Sequence, residues 1–205
     1  MKTLVLARHA AAGSNRDGLA WSSIPGEGLT QEGVAQARRL RAELADQEID
    51  LGVATDLLRT QETLEVALEG RTEVPRLVVS ELNEIDFGDF DGGPLADYRA
   101  WAGSNEPMVE APGRGESRAA AAARFAAGLR LVLERSEENV LLVGHALCIR
   151  YFLDATQGLV PAPLMVPLEH AVPYRVTAEE ARAAALLLEE WSHAPRFRPL
   201  SVPAQ

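Results

Sequence analysis

Thr3-Leu4-Val5-Leu6-Ala7-Arg8-His9 is an apolar run near the N-terminus that ends abruptly in an arginine and a histidine. A run of this kind is typical of a strand that is buried on both faces of a parallel sheet. Open α/β sheets bind their ligands in the crevice beyond the carboxyl ends of the strands. The pattern therefore predicts that Arg8 and His9 belong to a binding or catalytic site.

A second stretch, Asn139-Val140-Leu141-Leu142-Val143-Gly144-His145, repeats this arrangement far downstream. It is again a short apolar run that closes on a histidine, here with a glycine that lets backbone or ligand come close. If the two strands are neighbours, their carboxyl ends lie only about 5 Å apart. We therefore expect the imidazoles of His9 and His145 to face one small anion.

Two further strands bring other polar residues to the same edge of the predicted sheet. Leu51-Gly52-Val53-Ala54 is the first of these, and the residues from Thr55 to Arg59 then cap and begin a helix. The other strand, Arg76 to Val79, leads into an acidic and aromatic loop that contains Glu84. Long irregular loops at this edge are usually lids or binding loops. Further helices are predicted from Thr30 to Leu44, Pro94 to Trp101, Ser117 to Arg135 and Ala146 to Ala155.

The length and composition limit the organisation of the chain. Its 205 residues suffice for one α/β domain and are too few for two ordinary ones. We expect a single domain over residues 1–193, with a lid-like or cap-like insertion at about 85–115. Residues 194–205 contain three prolines and are predicted to form a loose C-terminal tail.

The charge and the cysteine content exclude several classes of function. A net charge of -10 argues against a nucleic-acid or anionic-membrane surface, because long-range repulsion would oppose binding. The single cysteine, Cys148, allows no intramolecular disulfide and is expected to be a buried structural thiol. The short apolar run before Arg8 is too brief for a signal peptide, and we expect a cytoplasmic protein.

Several motifs in family order resemble the histidine phosphatase superfamily, which includes the cofactor-dependent phosphoglycerate mutases. The match begins with Leu6-Ala7-Arg8-His9 and with Asn15, six residues past the histidine. It continues through Leu29-Thr30-x-x-Gly33-x-x-Gln36-Ala37, Thr55-Asp56-Leu57-x-Arg59, Leu82-x-Glu84-x-x-x-Gly88, Gly115-Glu116-Ser117 and Val143-Gly144-His145. The family usually has glycine, glutamate and threonine after the first histidine, whereas Ala10, Ala11 and Ala12 stand here.

The resemblance implies a three-layer α/β/α sandwich around a mostly parallel sheet, as in the phosphoglycerate mutases. It also implies that part of Ala181 to Trp191 is an edge strand, although the alanines and leucines there favour a helix. Asn15 is assigned to phosphate binding by the resemblance, and Ala146, which directly follows His145, is expected to bind substrate.

The chemistry of phosphoryl transfer accounts for the residue types at the sheet edge. Guanidinium groups of Arg8 and Arg59 can bind a phosphate dianion through paired, charge-assisted hydrogen bonds. His9 would attack phosphorus as a neutral imidazole and carry a phosphohistidine. His145 would donate to the transferring oxygens, and Glu84 would protonate the leaving oxygen and later activate water. The sequence thus predicts a metal-independent phosphoric monoester hydrolase.

Three alternatives use the same residues differently. His9, His145 and Glu84 could form a two-histidine, one-carboxylate metal site, but two neighbouring arginines would repel a dication. A non-catalytic sensor of phosphorylated ligands would need the arginines and not the acid. A phosphoglycerate mutase-type transferase would need a second phosphate site in the cap, where residues 93–115 supply only Arg99 and Arg114 as cations.

The expected ligand is a small phosphorylated metabolite. We expect no metal or other cofactor and no nucleic-acid or membrane partner, and we expect the protein to be a monomer or a homodimer. Sugar phosphates, phosphoglycerates, nucleotides and the ribazole phosphate of the cobalamin pathway all remain open, because loops without a readable code choose the ester. His170 and His193 have no partner that the sequence identifies.

Overall fold

A computed structural model describes residues 1–199 of the chain. Its centre is a five-stranded sheet in the order β3-β2-β4-β1-β5, in which only β5 runs antiparallel to its neighbour. The strands are β1 (Thr3–Arg8), β2 (Leu51–Ala54), β3 (Arg76–Val78), β4 (Asn139–Gly144) and β5 (Pro173–Thr177). The α-helices are α1 (Gly13–Arg16), α2 (Gln31–Glu43), α3 (Leu58–Ala67), α4 (Leu95–Gly103), α5 (Arg118–Leu133), α6 (Ala146–Thr156) and α7 (Ala178–His193). The predicted, mostly parallel α/β/α architecture is confirmed.

The apolar runs of β1 and β4 form the centre of two hydrophobic cores because successive side chains of a strand point to opposite faces. Leu4 and Leu6 of β1 belong to the larger core, which α5, α6 and α7 cover. Val5 and Ala7 belong to the smaller core, which α2 and α3 cover. All four side chains are at most 1% exposed. Burial on both faces explains why these strands are continuously apolar.

The two histidine-bearing strands are neighbours, as expected. Arg8 pairs with Gly144 in a parallel register, and the backbone N–H of His9 donates to the Gly144 carbonyl at 2.9 Å. Both strands therefore end at the same level. His9 and His145 leave the sheet side by side at its carboxyl edge.

The prediction of an edge strand within residues 181–191 is wrong. These residues lie in α7, as their helical propensity indicates, and the antiparallel edge strand is β5, which precedes the helix. Thr177 begins α7 with a capping box, since its side chain accepts from the Glu180 N–H and that of Glu180 accepts from the Thr177 N–H. The cap marks the junction between strand and helix.

The loose tail that we predicted from residue 194 is also wrong for residues 194–199. The Phe197 ring lies 5.9 Å from the Trp191 ring, and Arg198 donates to the Asp154 carboxylate at 3.0 Å and to the Val160 carbonyl at 3.0 Å. The remainder of that prediction, residues 200–205, lies outside the described residues.

The region expected to form a lid contains α4 and a short 3₁₀ turn, Gly88–Phe90. Its aromatic side chains pack on one another, with the Tyr98 ring 4.7 Å from Phe87 and 5.8 Å from Trp101. Gly88 has a positive φ of 57°, and a Cβ at this position would lie 2.0 Å from the Pro112 carbonyl oxygen. Only glycine fits that turn of the loop. None of the helices within residues 1–199 has the length and apolar character needed to cross a membrane.

Candidate active site

Two buried histidines stand at the carboxyl edge of the sheet, with ring centroids 5.4 Å apart. His9 follows β1 and is 2% exposed, and His145 follows β4 and is fully buried. His9 Nδ1 donates to the Ala10 carbonyl at 2.8 Å, which leaves Nε2 as the nitrogen with a free lone pair. Nε2 of His9 is therefore the ring nitrogen that is available to a ligand.

Arg59, in the first turn of α3, connects the two imidazoles. Its Nε donates to His9 Nε2 at 3.2 Å, and its Nη2 donates to His145 Nδ1 at 3.2 Å and to the Trp21 carbonyl at 3.0 Å. The Nη1 group is buried and has no acceptor among residues 1–199. Arg59 thus orients both rings and keeps two N–H donors for a further acceptor.

A chain of hydroxyl groups fixes the tautomer of His145. Because arginine only donates, Nδ1 of His145 accepts in the neutral ring, and Nε2 carries the hydrogen that Thr55 Oγ1 accepts at 3.0 Å. Thr60 Oγ1 lies 2.9 Å from Thr55 Oγ1 and donates to the Leu57 carbonyl at 2.8 Å. The only consistent direction runs from His145 through Thr55 and Thr60 to Leu57.

Arg8 supplies a second buried guanidinium. Its Nη1 donates to the Leu168 carbonyl at 2.7 Å, whereas its buried Nε has no acceptor among residues 1–199. Burial lowers the pKa of Arg8 to about 10, with Glu84 acting in the opposite direction. The side chain therefore remains a cation at neutral pH and has donors to offer.

The two histidines are neutral in this environment. Burial, followed by the charges of Arg59 and Arg8, holds the pKa of His9 well below its usual range. Burial, followed by Arg59, Arg124 and Arg8, does the same to the pKa of His145. A neutral His9 is the form that can act as a nucleophile.

Glu84 is the carboxylate that faces this cluster. Its Oε2 lies 3.9 Å from His145 Nδ1, and its Oε1 accepts from the Ile85 N–H at 3.0 Å. Burial raises the pKa of Glu84, while Arg59 acts to lower it. A carboxyl with a raised pKa suits a group that must give and take a proton near neutral pH.

The loop that carries Glu84 is fixed from behind by Arg124 of α5. This guanidinium donates to the carbonyls of Glu81 at 3.0 Å, Asn83 at 2.9 Å and Glu84 at 3.3 Å. It also forms an ion pair with the Glu116 carboxylate. Because one rigid guanidinium binds three backbone carbonyls within four residues of the loop, the backbone at Glu84 has little freedom.

Other acids of the loop make different contacts. Asp91 accepts from the backbone and hydroxyl of Ser22 and from the hydroxyl of Ser23, and Asp86 accepts from the Gly88 N–H. The bonds of Asp91 join the loop to the segment that follows α1, and the bond of Asp86 closes a turn within the loop. Of the acids in this loop, Glu84 is the one that lines the cavity described next.

A cavity of about 290 Å³ opens over the cluster. The predicted residues Arg8, His9, Asn15, Arg59, Glu84 and Ala146 all line it, and His145 contacts Arg59 from beneath. The Asn15 side chain accepts from the Ala12 N–H at 3.0 Å, so its amide nitrogen is not used by that bond. Ala146 is the first residue of α6, where unpaired backbone N–H groups favour an anion.

Sequence reasoning missed several residues of the site. Thr55 was assigned to a helix cap and to a family motif but to no role in the site, although Leu57 occupies the N-cap position of α3 and Thr55 contacts His145. His170 had no identified partner, whereas its Nδ1 donates to the His9 carbonyl at 2.7 Å. Their roles depend on contacts between segments far apart in sequence, for which no local pattern exists. Arg118 and Tyr98, which also line the cavity, were missed for the same reason.

Comparisons with known proteins show what this chain is similar to. The family model of the histidine phosphatase superfamily (branch 1) matches residues 4–190. Adenosylcobalamin/alpha-ribazole phosphatase of Escherichia coli (strain K12) is 31% identical over 151 residues, which cover 69% of this chain and 72% of that protein. A 2,3-bisphosphoglycerate-dependent phosphoglycerate mutase of Brucella anthropi is 29% identical over 204 residues, covering 92% of this chain and 98% of the mutase. The crystal structure of the alpha-ribazole phosphatase from Shigella flexneri superposes with a TM-score of 0.73 at 28% identity, over 84% of this chain and 89% of that one.

Proposed function

This chain belongs to branch 1 of the histidine phosphatase superfamily, and we propose that it is a metal-independent phosphatase that hydrolyses a small phosphate monoester through a phosphohistidine on His9. Its relatives are phosphatases and mutases, so it is an enzyme of that kind. The observation that carries the proposal is the Arg59 guanidinium, which contacts both imidazoles and keeps Nη1 without an acceptor.

Phosphate binding follows from the unpaired donors. Arg8 Nε and Arg59 Nη1 are buried N–H groups without acceptors among the described residues 1–199, and leaving such groups unpaired costs about 1–3 kcal/mol each, or more when they are charged. The oxygens of a phosphate dianion would satisfy them. Arg59 also contacts the ring nitrogens that a bridging metal would need, which supports catalysis by cations of the chain itself.

In the first half-reaction, His9 Nε2 would attack phosphorus while the bond from phosphorus to the ester oxygen breaks. Arg59 Nε, which now donates to that nitrogen, would transfer its hydrogen bond to a phosphate oxygen. Glu84 would give its proton to the leaving oxygen and become a carboxylate. The alcohol leaves, and the phosphoryl group remains bonded to Nε2.

In the second half-reaction, water would attack the same phosphorus and the bond from phosphorus to nitrogen would break. The Glu84 carboxylate would take the proton of the water and return to its acid form. His145 would stabilise the transferring oxygens, but its Nδ1 accepts a hydrogen bond from Arg59 in the neutral ring. It can donate only after it gains a proton, which a bound dianion favours.

The matches to phosphoglycerate mutases make transfer of the phosphoryl group to a second alcohol the competing activity. A mutase and a phosphatase share the first half-reaction and differ in the acceptor of the second. Incubation with a phosphate donor and a panel of alcohols separates them. Release of inorganic phosphate without transfer supports hydrolysis.

The decisive experiment traps the intermediate. Rapid quenching during turnover of a ³²P-labelled monoester should leave label that is stable in base, labile in acid and located at His9, and His9→Ala should carry none. Activity should persist in chelator and be inhibited by vanadate. Label on another residue type would show that the wrong nucleophile is named, and complete loss in chelator with recovery on adding a divalent cation would refute metal independence.

A further inference from the structure

Arg118 is a buried cation in the cavity wall, 6% exposed, at the start of α5. Its Nε donates to the Tyr151 hydroxyl at 2.6 Å, and its Nη2 donates to the Ala162 carbonyl at 3.3 Å. Both acceptors are uncharged, and within residues 1–199 no carboxylate oxygen lies within 4.0 Å of this guanidinium. The guanidinium also lies over the rings of Tyr151 and Phe197, at 5.4 Å and 5.6 Å from their centroids. Its charge therefore has polar and aromatic neighbours but no counter-ion within residues 1–199, and a bound anion would supply one.

Tyr98 offers a second donor from α4. Its side chain lines the same cavity and is 5% exposed, and its buried hydroxyl, which is near enough to Arg118 to stabilise that cation, donates to no group in residues 1–199. Packing against Phe87 and Trp101 fixes the ring. Burial raises the pKa of Tyr98 above its usual range, so the hydroxyl keeps its proton. A bound oxygen acceptor would remove the cost of leaving that group unpaired.

The charges that line the cavity exceed what one phosphate needs. Four arginines and one glutamate line it: Arg8, Arg59, Arg99, Arg118 and Glu84. The first two serve the phosphate in the proposed mechanism, and the chain as a whole carries a net charge of -10. This concentration of cations in an acidic protein indicates a ligand with more than one anionic group.

The other side chains that line the cavity limit the part of the ligand that lies between its two anionic groups. Apolar and aromatic side chains dominate it, among them Leu19, Trp21, Ile85, Phe87, Leu95 and Met165. The volume of about 290 Å³ admits a compact body such as a single ring and not a long polymer. An apolar body would bury its surface there without leaving polar groups unpaired.

We propose that Arg118 and Tyr98 bind a carboxylate on the alcohol part of the substrate, which makes the substrate a phosphate monoester of a compact, largely apolar hydroxy acid. Arg99, the remaining cation of the lining, is exposed to solvent. One buried guanidinium and one buried hydroxyl are then left, and they match a planar monoanion with two oxygens, whereas a second phosphate dianion would call for more buried cations. This proposal rests on the proposed phosphatase function and adds the class of substrate.

The test compares paired aryl phosphates under the same conditions. One set carries a carboxyl, carboxymethyl or carboxyethyl group at the meta or para position, and the other carries the matching methyl, ethyl or propyl group. The readout is the preference, which is the ratio of the two kcat/KM values within one variant, so that a general loss of activity cancels. We expect the whole protein to prefer at least one carboxylated ester by about 10- to 100-fold, as expected for hydrogen bonds to a charged group.

Two variants locate the source of that preference. Tyr98→Phe removes only the hydroxyl, which donates to no group in residues 1–199, so the variant should fold with about the stability of the parent and lose several-fold of the preference. Arg118→Gln should abolish the preference. Arg130→Gln is the matched control, because Arg130 lies on the same helix and pairs with Glu189 outside the cavity; it should keep the preference.

The outcomes separate this proposal from the function on which it rests. Failure to hydrolyse any of the esters, with no label on His9, overturns the phosphatase function. Hydrolysis without a preference for carboxylated esters overturns the carboxylate site alone. A preference that survives in both Tyr98→Phe and Arg118→Gln also overturns it. If Arg118→Gln does not fold, the preference of Tyr98→Phe decides.

Discussion

Replacing Thr55 by valine tests whether the hydroxyl chain behind His145 positions that ring. The substitution keeps the shape of the side chain and removes the oxygen that accepts from His145 Nε2 at 3.0 Å. It also removes an acceptor for the Leu57 N–H, which lies 3.3 Å away. Thr55 and His145 are both fully buried, so water cannot easily replace the lost partner.

The expected cost follows from these contacts. A buried N–H left without an acceptor costs about 1–3 kcal/mol, and Thr55→Val should lower the free energy of unfolding by that amount. If a similar amount of ring positioning is lost in the transition state, the rate of phosphoenzyme formation falls by about 5- to 150-fold. Thr55→Ser keeps the oxygen and is the matched control.

Three measurements test whether Thr55 positions the His145 ring. Urea unfolding gives the stability, the first-turnover burst of phenolate from an aryl phosphate gives the rate of phosphoenzyme formation, and ¹⁵N NMR of the imidazoles reports which nitrogen of His145 carries the hydrogen. All three proteins should carry the hydrogen on Nε2, because Arg59 donates to Nδ1 in each, and in Thr55→Val the Nε2 resonance should shift because its N–H has lost its acceptor. An unchanged burst rate together with an unchanged Nε2 resonance in Thr55→Val would refute the positioning role.

Three further outcomes are expected. Glu84→Gln should slow hydrolysis of alkyl phosphates by about 10²- to 10⁴-fold and slow the aryl phosphate burst far less, since phenolate leaves without a proton; equal losses would show that Glu84 is not the acid. Gly33→Ala should destabilise the fold by about 1–3 kcal/mol and weaken activity, because its Cβ would lie 2.0 Å from the Ala11 carbonyl oxygen, in the loop after the nucleophile; wild-type melting and activity would contradict this. In the unfolded chain the histidines take up protons below about pH 6.5, whereas buried His9 and His145 resist protonation in the folded protein. The free energy of unfolding should therefore fall with decreasing pH, by up to about 1.4 kcal/mol per pH unit for each of the two histidines. Urea unfolding between pH 7 and 5 measures this, and a flat profile would contradict it.

The positions of His9, His145 and Arg59 could be predicted because each follows a buried parallel strand or starts the helix after it. Strands that are buried on both faces are recognisable from their apolar runs. Parallel strands end at one edge, so the sequence order alone brings the following residues together. Glu84 was harder to predict, because its loop contains several acids. Asp86 and Asp91 are distinguished from it only by contacts that they make elsewhere in the structure.

The errors have equally physical causes. The edge strand β5 has one covered face and contains a proline, so its short pattern is weak beside the strong helical propensity of the residues that follow. The resemblance placed the strand within residues 181–191, although the helical propensity of these residues gave the correct structure. Segment 194–199 resembled a tail by its prolines, yet Phe197 and Arg198 pack on distant residues. Contacts of that kind have no local sequence pattern.

The low pKa values of the two histidines have different consequences once a phosphate dianion enters the site. Its negative charge counteracts the effect of Arg8 and Arg59 on both rings. In the proposed mechanism His9 uses its Nε2 lone pair to bond to phosphorus, so it cannot take up a proton there. His145 can, and because Thr55 accepts from Nε2 in either state, the ring gains a hydrogen at Nδ1 without turning. Binding of the substrate would thereby convert His145 from an acceptor for Arg59 into a donor to the phosphoryl oxygens, while the nucleophile stays neutral.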